Sequence, residues 1–523
     1  MDRRVLQEAN PAPASADVVV VGAGPTGLFL ACELRLAGVN VVVLERSLEP
    51  DRTDKAHGTI GLSVRVLDNR GLLEHLGRPG SPEAAPVFFY AGMPLSLAQL
   101  GADNPVTLLQ VNQHELERVL EARATELGAD VRRGWNVAGF SQSEGGVDVV
   151  ARTAGEENRS VTALYLVGCD GGSSIVRRQA GIGFPGSTDE HTVDRSAMIA
   201  PSEHFRFLPG NRVWIEGVGE IPAMFHRTDR GVFNLLPHNP ERPLINTAEW
   251  EDEPAGNYPG PGEPLTLAEM EASVERVLGV RVPLDPPTQG NPALFRRLTR
   301  RNSRQAGQYR AGRVFIAGDA AHVSHGPTLN AAINDAANLG WKLAGAVKGW
   351  APGTLLSTYE SERHPVGERV LMLTQAESAL IAPGPDVTAL RSVFSEMLGH
   401  VGAIAVIAAT MAGADVRYDT EDDEPSALAG WFAPDLVLSL PDGATVRTAE
   451  LLRDGRAVVL DLAGAAELGV TARAWADRID FITATTDAPP APAIVIRPDG
   501  YVAWAGSGAR SLEVALARWF GQP

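Results

Sequence analysis

Apolar, β-branched runs and helical periodicity alternate at the start of the chain. An apolar run at 17–21 is followed by a glycine-rich turn, a helical pattern that extends to Leu36, and a second apolar run at 40–44. Helical periodicity returns at 113–127, and a further apolar run leads into a second glycine-rich turn. This order predicts a βαβ unit at the beginning of an α/β domain that resumes later.

The pattern changes between residues 182 and 299. Short alternating runs, such as 212–215 and 231–236, are separated by proline and glycine, and they predict a β-rich insert. Its stretch at 251–264 is rich in Pro, Gly and acidic residues, and we expect it to be an exposed loop.

The second half of the chain returns to the first pattern and then leaves it again. A buried-strand pattern at 313–317 and a helical pattern at 328–348 predict the return of the α/β domain, with Met372 and the run at 401–414 expected in its core. Strand-like and helical runs beyond residue 426 predict a separate C-terminal domain. The predicted domains are 1–181 together with 300–425, 182–299, and 426–523.

Composition and charge argue against several classes of protein. The 523 residues, 44% hydrophobic and 21% charged, are typical of a globular protein with more than one core. A net charge of −18 without a Lys/Arg-rich run argues against a nucleic-acid partner. The chain has two cysteines, Cys32 and Cys169, so we expect no disulfide framework and no bound metal, and a cytoplasmic location fits best. The run at 401–414 is shorter than the roughly 20 residues of a membrane span, so no membrane partner is expected.

The first glycine-rich turn, V-V-V-V-G-A-G-P-T-G, places Gly22, Gly24 and Gly27 between a strand and a helix. Without side chains there, a pyrophosphate can approach the backbone amides at the positive end of the helix. Glu45, at the end of the second strand, is placed to accept hydrogen bonds from ribose hydroxyls. The alternative, a tight turn alone, is less consistent with this combination of strand, helix and acid.

Two further turns join a strand to a glycine and an acid. Y-L-V-G-C-D-G-G-S-S-I-V-R, at 165–177, contains Asp170 and Gly171, although a glycine-rich turn without a ligand is the alternative interpretation. R-V-F-I-A-G-D-A-A-H, at 313–322, contains Asp319, whose carboxylate could bind a ribitol hydroxyl.

With these three ordered motifs, the chain resembles the class A flavoprotein monooxygenases, especially the aromatic hydroxylases of polyketide pathways, across nearly its whole length. The resemblance implies a doubly wound, Rossmann-type FAD-binding domain, a β-rich substrate domain and a thioredoxin-like C-terminal domain. It also implies FAD as the resident nucleotide, NAD(P)H as co-substrate and an aromatic small molecule as substrate. The segment at 497–504 matches the family's C-terminal tail, although without a CxxC pair it cannot perform dithiol chemistry.

The resemblance also assigns roles to individual residues. The adenosine end of FAD would contact Gly22, Gly24, Gly27, Glu45 and Arg46. Gln113 and Asp319 would lie near the pyrophosphate and ribityl chain, and Asn330 matches the Asn after the family's flavin loop. Asp170 and Gly171 would support nucleotide and NAD(P)H handling.

The chain departs from the family around the flavin ring. Only seven residues, V-S-H-G-P-T-L, separate His322 from Asn330, where the family has ten, including a P-x-G-G-Q-G loop whose amides would cradle the ring. Where the family commonly has two Arg and a Glu, positions 54–65 hold Lys55, Leu62 and Arg65, so contacts to the flavin could be lost.

These departures leave more than one function open. The first hypothesis is an FAD- and NAD(P)H-dependent monooxygenase that acts on an electron-rich aromatic polyketide. The second is a relative without flavin redox function that catalyses a cyclisation or rearrangement, and the third is a non-catalytic binding protein. Hydroxylation, epoxidation, Baeyer-Villiger insertion and the oligomeric state are not distinguished by the sequence.

Aromatic and histidine residues are candidates for the substrate site. Trp214, Phe225 and Phe233 lie on alternating runs of the β-rich insert, where the family binds substrate, although core packing is the alternative for each. His226 and His325 are candidate acid–base residues because imidazole titrates near neutrality, with a purely structural role as the alternative. We assign no chemistry to His322.

Overall fold

The structure is a computed structural model that describes residues 14–50, 58–236, 241–252, 265–287, 296–326, 328–420 and 426–523. Lys55 and most of the loop predicted at 251–264 lie outside the described residues.

The first part of the chain contains the strands and helices of the predicted βαβ unit. The elements, in chain order, are β1 (Ala14–Val21), α1 (Pro25–Leu36), β2 (Val41–Glu45), β3 (Thr59–Ile60), α2 (Leu62–Asp68), α3 (Leu72–His75), β4 (Phe88–Tyr90), β5 (Met93–Leu95), β6 (Leu108–Leu109), α4 (Gln113–Glu126), β7 (Asp130–Arg133), β8 (Trp135–Gln142), β9 (Val147–Thr153), β10 (Asn158–Gly168) and α5 (Ile175–Gln179).

The middle of the chain is β-rich, as the alternating runs predict. It contains β11 (Gly186–Asp189), β12 (Thr192–Met198), β13 (Phe205–Leu208), β14 (Arg212–Ile215), β15 (Gly219–Pro222), β16 (His226–Arg227), β17 (Gly231–Leu236), β18 (Leu244–Trp250), α6 (Leu267–Leu278) and β19 (Arg296–Leu298). A five-stranded sheet has the order β16-β17-β18-β12-β19, and β13, β14 and β15 form a smaller antiparallel sheet. Apolar residues of both sheets and of α6 form one core.

The chain then returns to the first domain. The returning elements are β20 (Arg301–Gln305), β21 (Arg310–Ala311), β22 (Val314–Ile316), β23 (His322–Val323), α7 (Thr328–Lys348), α8 (Thr358–Ile381), α9 (Pro385–Met397) and α10 (Val401–Ala412). The main sheet has the order β21-β22-β10-β1-β2-β7, in which all neighbours from β22 to β7 are parallel. Helix α1 packs closely against α7, where a Cβ at Gly340 would lie 2.5 Å from the Cβ of Glu33. The doubly wound α/β fold is confirmed.

The core prediction for Met372 is wrong, and the helix predicted at 401–414 forms but is buried along one side only. Met372 on α8 is 53% exposed, and α10 is exposed along one side, with Val406 63% exposed. No single helix in the described ranges is long and apolar enough to cross a membrane, and the one pair that passes by length and composition, α9 with α10, is bent by 107°.

The C-terminal segment folds around its own mixed sheet. It contains β24 (Val437–Ser439), β25 (Thr445–Arg447), α11 (Thr448–Leu451), β26 (Ala457–Asp461), α12 (Ala466–Ala472), β27 (Ile479–Thr483), β28 (Ala493–Ile496), β29 (Val502–Gly506) and α13 (Ala509–Phe520). The sheet order is β27-β26-β28-β29, with β26 parallel to β27 and the other pairs antiparallel, which is a thioredoxin-like arrangement. The exact domain boundaries at 181, 299 and 425 stay predictions.

A buried ionic cluster joins the C-terminal domain to the helices behind the main sheet. Glu362 on α8 pairs with Lys342 of α7 at 2.6 Å and with Arg497 after β28 at 2.6 Å, and Asn338 donates to it as well. Trp341 of α7 is buried in the apolar core of the C-terminal domain, where its ring centroid lies 5.8 Å from that of Phe520. Helix α7 therefore belongs to the cores of both domains.

Candidate functional site

Three turns leave neighbouring parallel strands at the same edge of the main sheet. Val21 at the end of β1 is in register with Gly168 at the end of β10, and Gly168 is in register with Ile316 at the end of β22. Because the carboxyl ends of parallel strands meet at one edge, the turns that follow are adjacent. The three glycine-acid turns therefore converge.

Contacts between the turns are too close for side chains. A Cβ at Gly22, whose φ is +105°, would lie 2.4 Å from the carbonyl oxygen of Cys169 in the second turn. A Cβ at Gly318, whose φ is +61°, would lie 2.6 Å from Oγ1 of Thr26 at the start of α1. Glycine is required at both positions by geometry as well as by space.

The amino end of α1 is arranged to receive an anion. Gly24 is its N-cap and, among the described residues, no side chain caps the helix. No described atom lies within 4 Å of a Cβ built at Gly24, whereas a Cβ at Gly27 would lie 2.0 Å from the Gly22 carbonyl oxygen. Gly24 therefore faces open space beside the positive end of a helix, and Gly27 permits close packing behind it.

Glu45 is fixed beside this helix end. Its Oε2 accepts a hydrogen bond from the Ala23 amide at 2.8 Å, and its Oε1 accepts one from the Ser47 amide at 2.8 Å. Arg46 follows at the exposed surface. The structure thus brings Glu45 to the first turn, as the ribose-binding prediction requires.

Asp170 organises the second turn. Its Oδ2 accepts from the amides of Ile175 and Val176 at 2.7 and 3.2 Å, and its Oδ1 accepts from the Ser174 hydroxyl. Gly171 has φ +80°, and no described atom lies within 4 Å of a Cβ built there. These contacts give Asp170 a role in holding the turn and the start of α5, and they leave Gly171 beside open space.

The third turn and the start of α7 bring two more candidates to the same edge. Asp319 is exposed, and its Oδ1 accepts from Oγ1 of Thr328 at 3.1 Å. The side-chain oxygen of Asn330 accepts from the Ile60 amide and the Ser63 hydroxyl, both at 3.1 Å. Gln113, the first residue of α4, is half-buried and donates to Glu117 at 2.7 Å.

His322 has a structural position behind the third turn. Its Nε2 lies 2.6 Å from Oδ2 of Asp335, whose other oxygen accepts from Arg363 at 2.8 Å. Burial raises the pKa of Asp335, but the charges of His322 and Arg363 outweigh it and hold that pKa below its usual value. These contacts give His322 a structural role in holding the third turn.

The shortened loop extends from His322 towards the middle sheet. His325 is 37% exposed, and its Nε2 lies 3.7 Å from Oδ2 of Asp194, a carboxylate that Arg301 binds with both nitrogens of its fork. Burial lowers the pKa of His325, and Asp194 opposes this only partly. A Cβ at Gly326 would lie 2.4 Å from Cγ2 of Thr374 on α8, so the loop packs directly on that helix.

Two of the middle-domain candidates lie at the junction with the first domain. Phe225 is half-buried, and its ring centroid is 5.7 Å from that of Phe89 on β4. His226 follows at the edge of the five-stranded sheet, and burial lowers its pKa, which favours the neutral imidazole at pH 7.

The other two aromatic candidates lie elsewhere. Phe233 is 1% exposed and packs in the core between the middle sheet and α6, so the prediction that it faces substrate is wrong. Trp214 lies on the face of β14 opposite the core residues Val213 and Ile215, with the Arg206 guanidinium 4.9 Å from its ring centroid. Its role in the substrate site stays a prediction.

Sequence reasoning missed a basic groove beside the second turn. The groove has a volume of about 400 Å³ and is lined by Gly172, Ser173, Arg177, Arg178, Phe184, Asn302, Arg304 and Val323. The Arg177 guanidinium lies 3.6 Å from the Phe184 ring centroid, and Arg304 donates to the Phe184 carbonyl at 3.2 Å. The paired arginines directly after the glycine-rich turn are a sequence signal, whereas the approach of Arg304 from β20 is not.

Comparison with known proteins identifies the family. Residues 15–374 match the FAD binding domain family, and residues 426–523 match the aromatic-ring hydroxylase C-terminal family. A 12-dehydrotetracycline 5-monooxygenase/anhydrotetracycline 6-monooxygenase of Streptomyces rimosus is 38% identical over 97% of this chain and 99% of its own. The chain belongs to the FAD-dependent aromatic-ring hydroxylases.

Two further relatives show how widely this fold is used. The solved structure of the anhydrotetracycline hydroxylase OxyS from Streptomyces rimosus superposes with a TM-score of 0.82 at 36% identity, covering 97% of this chain and 100% of the other. A dialkyldecalin synthase of Streptomyces rugosporus is 34% identical over 97% of this chain and 99% of its own. As a member of the hydroxylase family, this chain is a flavin-dependent monooxygenase.

The residues at the sheet edge fit the adenosine and pyrophosphate parts of FAD. The open space at Gly24 and Gly171, the uncapped amino end of α1 and the anchored Glu45 carboxylate together offer amides to an anion and an acceptor to a ribose. The part of the site that would hold the isoalloxazine ring departs from the family's pattern, because the shortened loop lacks paired glycines.

Proposed function

We propose that this aromatic-ring hydroxylase uses FAD and NAD(P)H to transfer an oxygen atom from O₂ to an aromatic polyketide-type substrate in the cytoplasm. The observation that carries this proposal is the convergence of the three turns at Val21, Gly168 and Ile316 around one extended open edge. The monooxygenase names of the full-length relatives support the substrate class.

The proposed roles follow the position of each residue along the edge. Gly22, Gly24 and Gly27 would admit the pyrophosphate, Glu45 and Arg46 would hold the adenosine end, and Gln113, Asp319 and Asn330 would contact the remainder of the nucleotide. When bound, FAD supplies the redox chemistry that activates oxygen. The protein supplies the anion site, the ribose acceptor and a cleft that excludes water.

We propose that the basic groove beside Asp170 and Gly171 binds the phosphates of NAD(P)H. Arg178 and Arg304 line it, and their charges favour a pyrophosphate or a ribose phosphate. Phe184 offers an apolar surface at the same place, under the Arg177 guanidinium. Gly172 and Ser173 of the second turn line the groove, and Cys169 of the same turn approaches Gly22 of the first.

The proposed substrate cleft lies between the shortened loop and the junction of Phe89 and Phe225. Aromatic rings at that junction favour a flat aromatic ligand. His226, which follows Phe225, and His325, in the shortened loop, both favour the neutral imidazole because burial lowers their pKa values, and they are proposed as acid–base residues.

Spectroscopy of the purified protein tests this function directly. We expect flavin absorbance in the protein as purified or after addition of FAD, oxidation of NAD(P)H that a tetracyclic phenol stimulates, and product labelled from ¹⁸O₂. Arg304→Gln should raise the KM for NAD(P)H with little effect on FAD content, and the exposed Arg510→Gln serves as its control. Colourless protein that FAD cannot reconstitute would overturn the proposal.

The shortened loop favours a second candidate function, a non-redox cyclisation or rearrangement on a related substrate. Gly326 packs against Thr374, and Asn330 is bonded to the strand and helix opposite it, so the loop closes without a paired-glycine cradle. A full-length relative is named a synthase rather than a monooxygenase. Conversion of substrate under anaerobic conditions, without NAD(P)H and without gain in mass, distinguishes this candidate from the first.

A further inference from the structure

One face of the five-stranded middle sheet packs on α6. A row of residues in register across β17, β18, β12 and β19 consists of Phe233, Thr247, Arg195 and Arg297. Phe233 packs in the core that includes α6, and Oγ1 of Thr247 lies 2.7 Å from Oγ of Ser273 on α6. Both arginines donate to Glu269, also on α6. This row therefore points to the helix.

The neighbouring row of the same sheet points the other way, because side chains alternate between the two faces of a strand. Its members, in register across the same four strands, are Asn234, Asn246, Ser196 and Arg296. We call Asn234, Asn246 and Ser196 the polar row, and Arg296 lies at its end. Adjacent strands are about 4.8 Å apart, so the polar row extends about 10 Å across the sheet.

The face that carries the polar row borders the shortened loop. Asp194 lies two residues before Ser196 on β12, so the two side chains share this face. Oδ2 of Asp194 lies 3.7 Å from Nε2 of His325, which belongs to the shortened loop. The β12 side of the polar row is therefore beside the loop.

The other end of the polar row lies at the aromatic junction. The side-chain oxygen of Asn234 accepts a hydrogen bond from the Phe225 amide, and the Phe225 ring centroid is 5.7 Å from that of Phe89. Arg227 on the adjacent strand β16 donates to the Ala382 carbonyl, at the end of α8, at 2.9 Å. The polar row thus crosses the proposed substrate cleft from the shortened loop to the junction.

The polar row has hydrogen-bonding capacity that the described part of the chain does not use. Asn246 and Ser196 are half-buried, and no described residue donates to their side chains or accepts from them. Asn234 uses its oxygen on the Phe225 amide, while its side-chain nitrogen bonds no described residue. Polar groups withdrawn from solvent are costly without partners, so this arrangement favours a ligand that supplies them.

Apolar residues lie on both sides of the polar row. The apolar residues two positions away on the same face are Val232 and Ala248 on one side, and Leu236, Leu244 and Met198 on the other. The remaining neighbour, Asp194, is bound by Arg301. An apolar surface crossed by one line of polar groups is complementary to a flat ring system whose oxygens lie along one edge.

We propose that the polar row binds the oxygen-bearing edge of a linearly fused polycyclic substrate, and that Asn246, at its centre, determines the substrate's orientation. Oxygens on alternate rings of such a system are spaced much like adjacent strands, so the three side chains reach one edge together. Bound in this way, the substrate keeps one orientation relative to the shortened loop, and this orientation fixes the carbon that is oxygenated. The inference rests on the proposed function, because the substrate must occupy this cleft.

Two isomers of dihydroxyanthraquinone test the proposal without turnover. The 1,8 isomer carries three oxygens on one edge, whereas the 1,5 isomer has the same rings and formula but divides its oxygens equally between the two edges. Each is titrated by absorbance into the FAD-loaded protein in the absence of NAD(P)H. The wild type should bind the 1,8 isomer about tenfold more tightly. Asn246→Leu, which keeps the size but not the polar atoms, should lose this preference.

Further variants separate recognition from structural damage. Asn246→Ser, which keeps a hydroxyl group, should retain part of the preference, and Ser196→Ala should reduce it about threefold. Asn136→Leu, the same substitution at an exposed position on β8, is the matched control and should keep the wild-type preference. Equal affinities of the wild type for the two isomers, failure of the 1,8 isomer to bind, or an Asn246→Leu protein with the wild-type preference would overturn the proposal.

Turnover distinguishes this inference from the proposed function. With a tetracyclic phenol, the wild type should give one product, whereas Asn246→Leu should raise KM about tenfold and give a mixture of positional isomers. A single, unchanged product from Asn246→Leu contradicts the role in orientation. If the isomer preference is found but no protein oxidises NAD(P)H, the proposed oxygenation fails and the polar row is supported.

Discussion

The buried carboxylate of Asp335 accepts a hydrogen bond from Nε2 of His322 at 2.6 Å and thereby fixes the turn that carries Asp319. Asp335 also accepts from Arg363 and from the Gly318 amide, so it holds an imidazole, a guanidinium and a backbone amide together. The pair joins the third turn to α7, which begins beside the shortened loop.

Asp335→Asn should therefore lower the free energy of unfolding by about 3–5 kcal/mol, because it leaves the buried Arg363 without its anion. Urea unfolding followed by tryptophan fluorescence measures the loss. Asp229→Asn, at an exposed turn, is the matched control and should change stability by less than about 0.5 kcal/mol. An Asp335→Asn protein as stable as the control contradicts this role.

Substitution of Glu362 and substitution of Lys342, both in the buried ionic cluster, should lower stability by unequal amounts. Glu362→Gln leaves the buried Lys342 without its anion and leaves Arg497 paired with Asp499 alone, and it should cost about 3–5 kcal/mol. Lys342→Met removes a buried ammonium while Glu362 keeps Arg497, and it should cost at most about 2 kcal/mol. Denaturant midpoints of the two variants check the order, and the reverse order would show that the cluster is not centred on Glu362.

Acid should weaken the same cluster. Burial raises the pKa of Glu362, but Arg497 and Lys342 outweigh it, and the net pKa is about 2. A carboxyl with a lowered folded pKa stabilises the protein fully above its unfolded pKa, about 4.3, and this stabilisation is lost as pH falls towards 2. The melting temperature should thus fall less steeply between pH 5 and 2 in Glu362→Gln than in wild type. Parallel curves would contradict the linkage.

Substitutions at two glycines of the first turn should affect FAD binding and protein stability separately. Gly24→Ala adds a methyl group to open space at an ordinary φ of −78°, so the apoprotein should keep its melting temperature while FAD affinity falls at least tenfold, about 1.4 kcal/mol. Gly27→Ala places a Cβ 2.0 Å from the Gly22 carbonyl oxygen and should destabilise the apoprotein itself. Flavin fluorescence titration and apoprotein melting measure the two effects. Full FAD affinity in Gly24→Ala would place the pyrophosphate elsewhere.

His325 offers a test of the shortened loop. Its side chain is 37% exposed and Asp194 is already bound by Arg301, so His325→Ala should leave stability within about 0.5 kcal/mol of wild type. If the imidazole takes part in proton transfer, kcat should fall by about 10²-fold at saturating substrate. Unchanged turnover removes His325 from the chemistry.

Much of the fold could be predicted because the controlling signals are local. The α7 helix begins and ends where its periodicity does, and the three glycine-acid turns each follow an apolar strand. Their convergence required only that parallel strands share an edge. Glu45 was predictable for the same reason, since β2 delivers it to the first turn.

The substrate side depends on contacts that periodicity does not encode. Phe233 and Asn234 are neighbours on β17. The Phe233 side chain faces the core, whereas the side-chain oxygen of Asn234 accepts a hydrogen bond from the Phe225 amide. Alternation identifies two faces without saying which one is buried. Met372 was expected in the core for the same reason. The apolar residues of α8 do not indicate which side of the helix is exposed to solvent.

Helix α7 begins beside the flavin loop and carries Trp341 into the apolar core of the thioredoxin-like domain, against Phe520 and Trp519. Residues 426–523 contain no cysteine, so this domain cannot perform dithiol chemistry, and its contacts with α7 give it a structural role. A truncated chain ending before residue 426 would expose the Trp341 indole on the helix that carries Asn330, and it would leave Glu362 on α8 with Lys342 as its partner but without Arg497. Removal of the C-terminal domain should therefore weaken FAD binding at the edge of the main sheet.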